Sequence, residues 1–218
     1  MSKAKGGRVA QADRAAAMKQ QVATLKRQHI LEAAAELIFQ EGYAAATVES
    51  LARSMGVTKP FIYTYFQNKG EILAEICESG IDGSLEALGK GQKDASGALN
   101  RLRIAMHEAA LSVIRFQKCV VVYQRELKSL DPSDARRILQ KRIQFDREVA
   151  DLLTDGVCDG EMDVVDPAVS SVWIGGLLSW IPVWYNPQGR LKPEEVAAEF
   201  VRAIDRIVAA KPFKSTAG

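Results

Sequence analysis

Side chains that form directional polar contacts are concentrated in residues 58–69, which read Thr-Lys-Pro-Phe-Ile-Tyr-Thr-Tyr-Phe-Gln-Asn-Lys. An ammonium group can donate hydrogen bonds to the acceptor atoms of a base edge, and hydroxyl groups can donate to phosphate oxygens. An aromatic ring can pack on a thymine methyl group. The chemistry that this segment offers is therefore recognition of an anionic polymer by contact.

The residue types that usually carry catalysis or metal binding are sparse. The chain has two histidines, His29 and His107, and three cysteines, Cys77, Cys119 and Cys158, with no Cys-x-x-Cys pair. An enzyme would need a nucleophile, a general base or a metal set at workable spacing, and the sequence contains none. We therefore predict no enzymatic activity, no cofactor and no metal. The odd number of cysteines favours free thiols in a reducing cytoplasm.

Residues 48–67 have the pattern of a helix-turn-helix, in which two short helices cross at a steep angle. Ala52 supplies the small residue needed at the crossing, and Gly56 supplies the left-handed backbone needed in the turn. Thr58 is the predicted N-cap of the second helix, and Pro60 lies in its first turn, where a missing N–H costs nothing. The contact between the two helices is expected to be filled by apolar residues: Leu51, Met55, Val57, Ile62 and Tyr65. The alternative is an ordinary helical hairpin in an all-α core.

The residues on either side of this motif extend the pattern. Over the 47 residues from Arg27 to Leu73, the chain resembles the DNA-binding domain of the tetracycline-repressor (TetR) family of bacterial transcription regulators. The resemblance is carried by Arg27, Ile30, Leu31, Leu37, Phe39, Gly42, Tyr43, Thr47, residues 58–66, Asn68, Lys69 and Ile72. It implies a homodimer with about nine helices, repression of nearby genes, and release of DNA when a small molecule enters the C-terminal domain.

The second helix of the motif is expected to lie in the major groove, with its N-terminal residues facing the base edges. The residues that it would offer to the groove are Thr58, Lys59, Phe61 and Thr64. The resemblance assigns phosphate contacts to Thr47, Tyr63, Tyr65 and Lys69. Phe61 departs from the small polar residue that the family more often has there. For the two tyrosines, the alternative is a role as core aromatics.

In every segment with a clear repeat of apolar residues, the repeat has the 3.6-residue period of a helix. We therefore predict an all-α protein. The predicted parts are a basic N-terminal arm at 1–24, a three-helix DNA-binding head at 25–70, and a helical body for ligand binding and dimerisation at 71–218. Residues 1–27 have a net charge of +6, and the remainder has −4. The basic end favours an anionic partner, and residues 1–10 are predicted to be unstructured in the free protein.

Local signals predict where several helices begin and end. Gly42 is the expected C-cap of the first helix, which the Ala-rich sequence before Leu25 can extend backwards. Thr47 and Asn68 are predicted N-caps. The pair Asp166-Pro167 is expected to open the eighth helix, because proline is tolerated in a first turn.

Residues 168–185 contain no charged side chain. Their length is at the lower edge of what crosses a bilayer, roughly 17–25 residues. Three serines, two glycines and one proline make the segment only mildly apolar, and no positive cluster flanks it. We therefore predict a buried helix, with a membrane span as the alternative.

The body is predicted to bind a small effector in a pocket with apolar walls and a few polar groups. The candidate ligand-binding residues are Met106, Phe116, Tyr123, Arg125, Phe145, Trp173 and Trp180. A plain helical core would explain most apolar residues in such stripes. The segment from Trp184 to Gly189 resembles the end of the eighth helix in TetR-family regulators that respond to acyl-CoA thioesters. This resemblance favours an acyl-CoA or a related acid as the effector.

One head reads only a few base pairs, so we expect a homodimer on a palindromic operator. Small residues on the eighth helix would let another helix approach closely, and the ninth helix has an apolar stripe. The candidate interface residues are Gly175, Gly176, Ser179, Phe200 and Ile204.

The sequence as a whole predicts a cytoplasmic, ligand-responsive repressor. Its expected partners are operator DNA, a second copy of the chain and a small hydrophobic effector, with no membrane. The alternatives are an all-α enzyme and an architectural DNA-binding protein that responds to no ligand.

Overall fold

A computed structural model of the chain describes residues 3–93 and 97–208. These residues form nine α-helices and one 3₁₀ turn, and they contain no β-strand, so the all-α prediction is confirmed. The helices are α1 (Lys3–Glu41), α2 (Val48–Ser54), α3 (Lys59–Tyr63), α4 (Lys69–Gln92), α5 (Ala98–Arg115), α6 (Gln117–Glu126), α7 (Pro132–Cys158), α8 (Pro167–Trp184) and α9 (Pro193–Val208).

Helix α1 begins much earlier than the sequence predicted. Residues 3–10 were expected to be unstructured, but they are helical, whereas residues 1–2 lie outside the described part. Each residue added to an existing helix gains a backbone hydrogen bond, so the helix of the Ala-rich residues 12–24 continues back through residues 3–10 despite Gly6 and Gly7. The other end is as predicted, because α1 stops before Gly42, which has a φ of 81°.

The chain divides into two compact units, Met1–Leu73 and Ala74–Gly218. In the first unit, the apolar faces of α1, α2 and α3 form a small core. Its most deeply buried side chains include Ile30, Ala34, Leu51, Ile62, Phe66 and Ile72. Burial of these positions fixes which side of α3 faces outward.

In the second unit, α5 lies against α7, α8 and α9. The apolar stripe of α9 faces α5, and its side chains belong to the main core. Each buried aliphatic or aromatic side chain contributes about 1.5–3 kcal/mol relative to exposure. The core of this unit is therefore complete without a partner for α9.

Helix α8 is the one helix in the described ranges with the length and composition of a membrane span. It has a mean hydropathy of 1.2, and 39% of it is buried. One side packs on the core through Ile174, Leu178 and Ile181. The other side is exposed, so the prediction of a buried helix is correct for only one face. We call this exposed face the α8 outer stripe; it consists of Val169, Val172, Trp173, Gly176, Leu177, Trp180, Val183 and Trp184.

Candidate nucleic-acid interface and effector pocket

Helix α2 begins with a complete capping box. Oγ1 of Thr47 accepts a hydrogen bond from the backbone N–H of Ser50 at 3.0 Å. In return, Oγ of Ser50 accepts one from the backbone N–H of Thr47 at 2.9 Å. Two backbone donors that a helix start leaves unpaired are thus satisfied, and the prediction of Thr47 as an N-cap is confirmed.

The turn between α2 and α3 also follows the sequence pattern. Gly56 has a φ of 65°, which favours glycine, and Ala52 is buried at the crossing. Thr58 takes the N-cap position of α3, and Pro60 lies in the first turn. The Thr58 hydroxyl makes no capping hydrogen bond, so this helix start is held by packing: Ile62 is completely buried.

The outward face of α3 and of the turn that follows it carries the predicted contact residues. Thr58, Tyr63 and Thr64 are exposed, whereas Lys59, Phe61 and Tyr65 are half-buried. Tyr63 is 46% exposed, which excludes the core role for this tyrosine. The Tyr65 ring packs against the Phe61 ring, with 5.3 Å between centroids.

Cations lie near two of the three aromatic rings of this face. The Lys26 ammonium lies 5.9 Å from the centroid of Phe61, and the Lys59 ammonium lies 5.9 Å from that of Tyr63. Lys59 also forms an ion pair with Glu49 on α2. The hydrogen bond between them raises the pKa of Lys59 and lowers the pKa of Glu49. Lys59 is therefore charged, but an intramolecular carboxylate competes for it.

Lys69, at the start of α4, is held by Tyr43. Its ammonium donates a hydrogen bond to the Tyr43 carbonyl oxygen and lies 4.0 Å from the Tyr43 ring centroid. A cation over an aromatic face is attracted by the ring quadrupole. The charge of this predicted phosphate contact is thus fixed in place before any partner arrives.

Arg27 has a structural role that the sequence pattern did not reveal. Its guanidinium lies 4.0 Å from the Phe66 ring centroid and forms an ion pair with Glu71 at 2.8 Å. Burial alone would raise the pKa of Glu71, but the Gln67 N–H and Arg27 together lower it. Because Glu71 accepts the Gln67 N–H at 2.6 Å, Arg27 ties α1 to the segment between α3 and α4.

The second unit contains a cavity of about 200 Å³ that is partly open to solvent. Its walls come from five helices, α4 to α8, and most of its lining is apolar. The lining residues are Cys77, Gly80, Ile81, Ser84, Val113, Val120, Tyr123, Gln124, Ile138, Arg142, Phe145, Gly175, Leu178 and Ser179. Typical ligand pockets measure about 300–1,000 Å³. In this conformation the cavity therefore accepts a small ligand, or one part of a larger ligand.

Two side chains of the cavity, those of Arg142 and Tyr123, have hydrogen-bond donors that pair with no acceptor in the described ranges. Nε of Arg142 donates to both carboxylate oxygens of Asp146 at 3.2 Å, and no residue in the described ranges accepts from its Nη atoms. The Tyr123 hydroxyl has no hydrogen-bond partner among those residues either. Burial raises the pKa of Tyr123, and the Arg142 charge partly opposes this rise. The hydroxyl therefore keeps its proton at neutral pH.

The wall formed by α4 and α7 is held by charged groups. Glu78 pairs with Nη2 of Arg137 at 3.1 Å and with Nζ of Lys141 at 2.5 Å. Lys141 also reaches Asp82 at 2.5 Å. Burial alone would raise the pKa of Glu78, but the hydrogen bonds from Arg137 and Lys141 lower it.

Cys77 is the buried thiol of the same wall. Burial raises the pKa of Cys77 to about 12, and the nearby Cys119 and Glu126 add to this effect. The thiol therefore contributes to the cavity as a small apolar group.

The structure brings together only part of the predicted ligand set. Tyr123 and Phe145 line the cavity. Met106 is a fully buried core residue, because α5 turns it toward the packed interior. Phe116 ends α5 and is not part of the lining, and Arg125 is exposed. The tryptophans are wrong as cavity walls, since their helix directs them outward: the exposed residues are Trp173 at 62% and Trp180 at 59%.

The predicted dimer residues are also divided. Phe200 and Ile204 are buried within the protomer because α9 packs on α5, so they form no surface for a second copy. Gly175 is buried and lines the cavity together with Ser179. Gly176 alone lies on the α8 outer stripe, with nothing within 4 Å of where a Cβ would stand.

Comparison with known proteins agrees with this architecture. The family model described as "Bacterial regulatory proteins, tetR family" matches residues 30–76. The model described as "Tetracyclin repressor-like, C-terminal domain" matches residues 95–208, more than half of the chain. The chain belongs to the TetR family of transcriptional regulators. This TetR-family regulator is a DNA-binding protein and not an enzyme.

Several characterised relatives cover most of this TetR-family chain. The regulator PfmR from Thermus thermophilus is 30% identical, with a TM-score of 0.75, over 81% of this chain and 97% of PfmR. The repressor KstR2 from Mycolicibacterium smegmatis is 25% identical over 82% of this chain and 88% of its own length. AibR, solved with isovaleryl coenzyme A and operator DNA, is 28% identical, with a TM-score of 0.70, over 81% of this chain and 96% of AibR.

Proposed function

We propose that this chain is a homodimeric repressor that binds a palindromic operator and leaves it when a small hydrophobic effector enters the second unit. It acts in the cytoplasm, where its DNA target lies. An acyl-CoA or a related acid is the favoured effector class.

The observation that carries the proposal is the outward face of α3. Thr58, Tyr63 and Thr64 are exposed there, and Lys59 and Phe61 lie beside them. Lys59 can donate to guanine O6 and N7, and the Phe61 ring can pack on a thymine methyl. Thr47, Tyr65 and Lys69 flank this face and are assigned to the phosphates. A helix-turn-helix in the major groove has this arrangement, with base contacts from the second helix and phosphate contacts from the residues that flank it.

The favoured effector class is supported by one relative and by the cavity. AibR was solved with isovaleryl coenzyme A, a thioester of a short branched acid. The cavity of about 200 Å³ is lined mainly by aliphatic and aromatic side chains, which suits a short acyl chain. A whole coenzyme A would not fit, so its nucleotide part would lie outside this cavity.

The proposed dimer interface is the α8 outer stripe, in place of the two-helix surface with Phe200 and Ile204. Its three tryptophans are each more than half exposed. Contiguous apolar surface of this kind is rare on monomers and typical of interfaces. Gly176 lies in the middle of the stripe, where a second helix can come close.

The test begins with selection of binding sites from random duplex DNA by the purified full-length chain. An inverted repeat with two half-sites is expected, because two recognition helices bind together. The selected DNA is then used in a gel shift with hexanoyl-CoA. Loss of the shifted band is the expected result. Enrichment of no sequence would contradict the repressor role, and a non-repeated site would contradict the dimer.

An architectural protein that responds to no ligand is the competing function. It would keep its shifted band with every small molecule tested, and it would select DNA by flexibility rather than by half-sites. The cavity with its mainly apolar lining favours the ligand-responsive repressor.

A further inference from the structure

We propose that Arg142 and Tyr123 form an anchor for the acyl oxygen of the effector, and that Gly175 is glycine so that the Arg142 guanidinium can reach this position. The inference rests on the proposed function and deepens it. It specifies the ligand as an aliphatic chain ending in a carboxylate or a thioester carbonyl.

The anchor follows from the donors that the protein leaves unused. Arg142 donates to Asp146 through Nε alone, so its two Nη groups still have N–H bonds to donate. The Tyr123 hydroxyl lines the same cavity, and no acceptor for it lies among the described residues. The Arg142 side chain is 27% exposed, so water can reach these donors in the free protein, and a ligand oxygen that replaced this water would gain hydrogen bonds from both groups.

The other polar groups of the cavity do not compete for this role. Oγ of Ser84 donates to the Gly80 carbonyl oxygen at 3.2 Å. Nε2 of Gln124 donates to the Ser179 carbonyl oxygen at 2.8 Å. These groups serve the helices that carry them. An acceptor atom of a ligand would therefore form its hydrogen bonds with Arg142 and Tyr123.

Gly175 is the second, independent observation. A Cβ at this position would stand 2.7 Å from Nη2 of Arg142 and 2.9 Å from Oδ1 of Asp146. Both distances are shorter than any normal contact, so the guanidinium lies where a larger residue would be. Gly175 thus makes room on α8 for the charged end of a side chain from α7.

Asp146 has a defined part in this arrangement. Its carboxylate holds the guanidinium by Nε and offsets part of its charge. The Nη side stays free for a second acceptor, which is the fork geometry by which arginine binds two oxygens. An ammonium ligand has only donors, so it cannot accept a hydrogen bond from the Nη groups.

The experiment measures binding of three probes with the same six-carbon chain to the full-length protein, by calorimetry and thermal shift. Hexanoate and hexanoyl-CoA present an acyl oxygen, whereas hexylammonium presents a cation. Binding of either acyl probe, with no binding of hexylammonium, is expected. A response to hexanoate alone assigns the anchor to a carboxylate, and a response to the thioester alone assigns it to a carbonyl. Equal binding of hexylammonium would overturn the anchor.

Variants then separate an anchor from a structural ion pair. Arg142→Met should lower the affinity for the acyl probe by about 10- to 100-fold, the range for a hydrogen bond to a charged group. Tyr123→Phe should lower this affinity by about 3- to 10-fold, the range for a neutral hydrogen bond. Asp146→Asn should keep or improve binding, because it removes the internal competitor. If Asp146→Asn lost binding as Arg142→Met does, the pair would be structural only and the proposal would fail.

Gly175→Ala gives a test that changes no polar group. The added methyl group displaces the guanidinium and should weaken the acyl probe several-fold. Gly89→Ala is the matched control, because Gly89 is also helical and has nothing within 4 Å of its Cβ position. Equal binding by Gly175→Ala and the parent chain would overturn the role of Gly175.

These readouts are independent of DNA. A protein that binds its selected operator but neither acyl probe would leave the repressor role intact and overturn the anchor. A protein that binds an acyl probe but selects no DNA would do the reverse.

Discussion

The two units of this regulator present polar groups in opposite ways. In the first unit, two charged groups of the surface that we propose faces DNA have partners within the chain: Lys59 pairs with Glu49, and Lys69 is held by Tyr43. In the second unit, Arg142 and Tyr123 line a mainly apolar cavity and have donors for which the described residues supply no acceptor. Water and salt weaken each surface contact, so DNA binding needs many contacts and two copies. In the cavity, which is shielded from water only in part, we propose that these two donors select the ligand.

The units also differ in how they are assembled. The surface that we propose faces DNA comes from the 23 consecutive residues 47–69, fixed by caps and a turn. The cavity takes its lining from five helices spread between Cys77 and Ser179. Substitutions in the first unit should therefore act locally, whereas those in the second should act through packing.

The largest expected effect comes from the second unit, although the measurement is DNA binding. Gly176→Leu places a branched side chain in the middle of the α8 outer stripe, where close approach of a second helix is proposed. The variant should run as a monomer on sizing and lose about 1,000-fold or more in operator affinity, the usual gap between specific and non-specific binding.

The control for this variant is Gly89→Leu, which also adds a side chain to an open helical site. It should stay dimeric and bind the operator as the parent chain does. A Gly176→Leu protein that still sized as a dimer would contradict the placement of the interface.

Within the first unit, Lys59→Ala should have the largest effect. Loss of a base contact costs about 1–3 kcal/mol, or roughly 5- to 150-fold in affinity, and relaxes the preference at the contacted base pair. Competition between the selected operator and single-base variants measures both. Glu49→Gln is the partner test: it releases Lys59 from its ion pair, so operator affinity should be kept or raised. Equal discrimination by Lys59→Ala and the parent would remove Lys59 from the base contacts.

Lys69→Ala should give a smaller effect of a different kind. Losing one phosphate contact lowers the affinity for all DNA sequences alike. It also lowers the slope of log affinity against log salt by about 1 for each bound head. Lys90→Ala is the control on the same helix, because its ammonium pairs with Glu108 at 2.9 Å. A salt titration with unchanged slope for Lys69→Ala would contradict the phosphate role.

The smallest expected effect is on the stability of the second unit. The folded pKa of Glu78 is lowered below its unfolded value near 4.3. Its contribution is therefore full above the unfolded pKa and is lost as the pH falls through the folded pKa. Glu78→Gln should lower the free energy of unfolding by about 1 kcal/mol at pH 7, and by less as the pH approaches 3.

Urea denaturation at several pH values measures this difference. Glu86→Gln is the control, because its side chain is 76% exposed and lies 4.0 Å from Lys90. It should change stability little at any pH. A deficit for Glu78→Gln that stayed constant down to pH 3 would show that its ion pairs are not responsible.

Much of the first unit could be predicted from the sequence, because its signals are local. Gly42, Thr47 and Gly56 each act on backbone within a few residues, and all three take the predicted positions. The pairing of Lys59 with Glu49 could not be predicted, since it depends on how the turn brings α2 and α3 together.

The second unit was harder to predict, because its site depends on packing between distant helices. Gly175 and Gly176 give the same local signal, yet adjacent helical residues point about 100° apart, and only the packing of α8 on α7 decides which faces the cavity. Arg142 was not among the predicted residues for the same reason. The tryptophans carried a usable signal: Trp173, Trp180 and Trp184 repeat at helical spacing on one face with Gly176.

The Cys77 thiol sets what kind of signal the cavity can register. With a pKa of about 12, only about one thiol in 100,000 is ionised at pH 7. Peroxides and electrophiles react with the ionised sulfur, so they find almost none to attack. The cavity wall therefore offers oxidants little to attack at Cys77, and this thiol does not couple the cavity to the redox state of the cell.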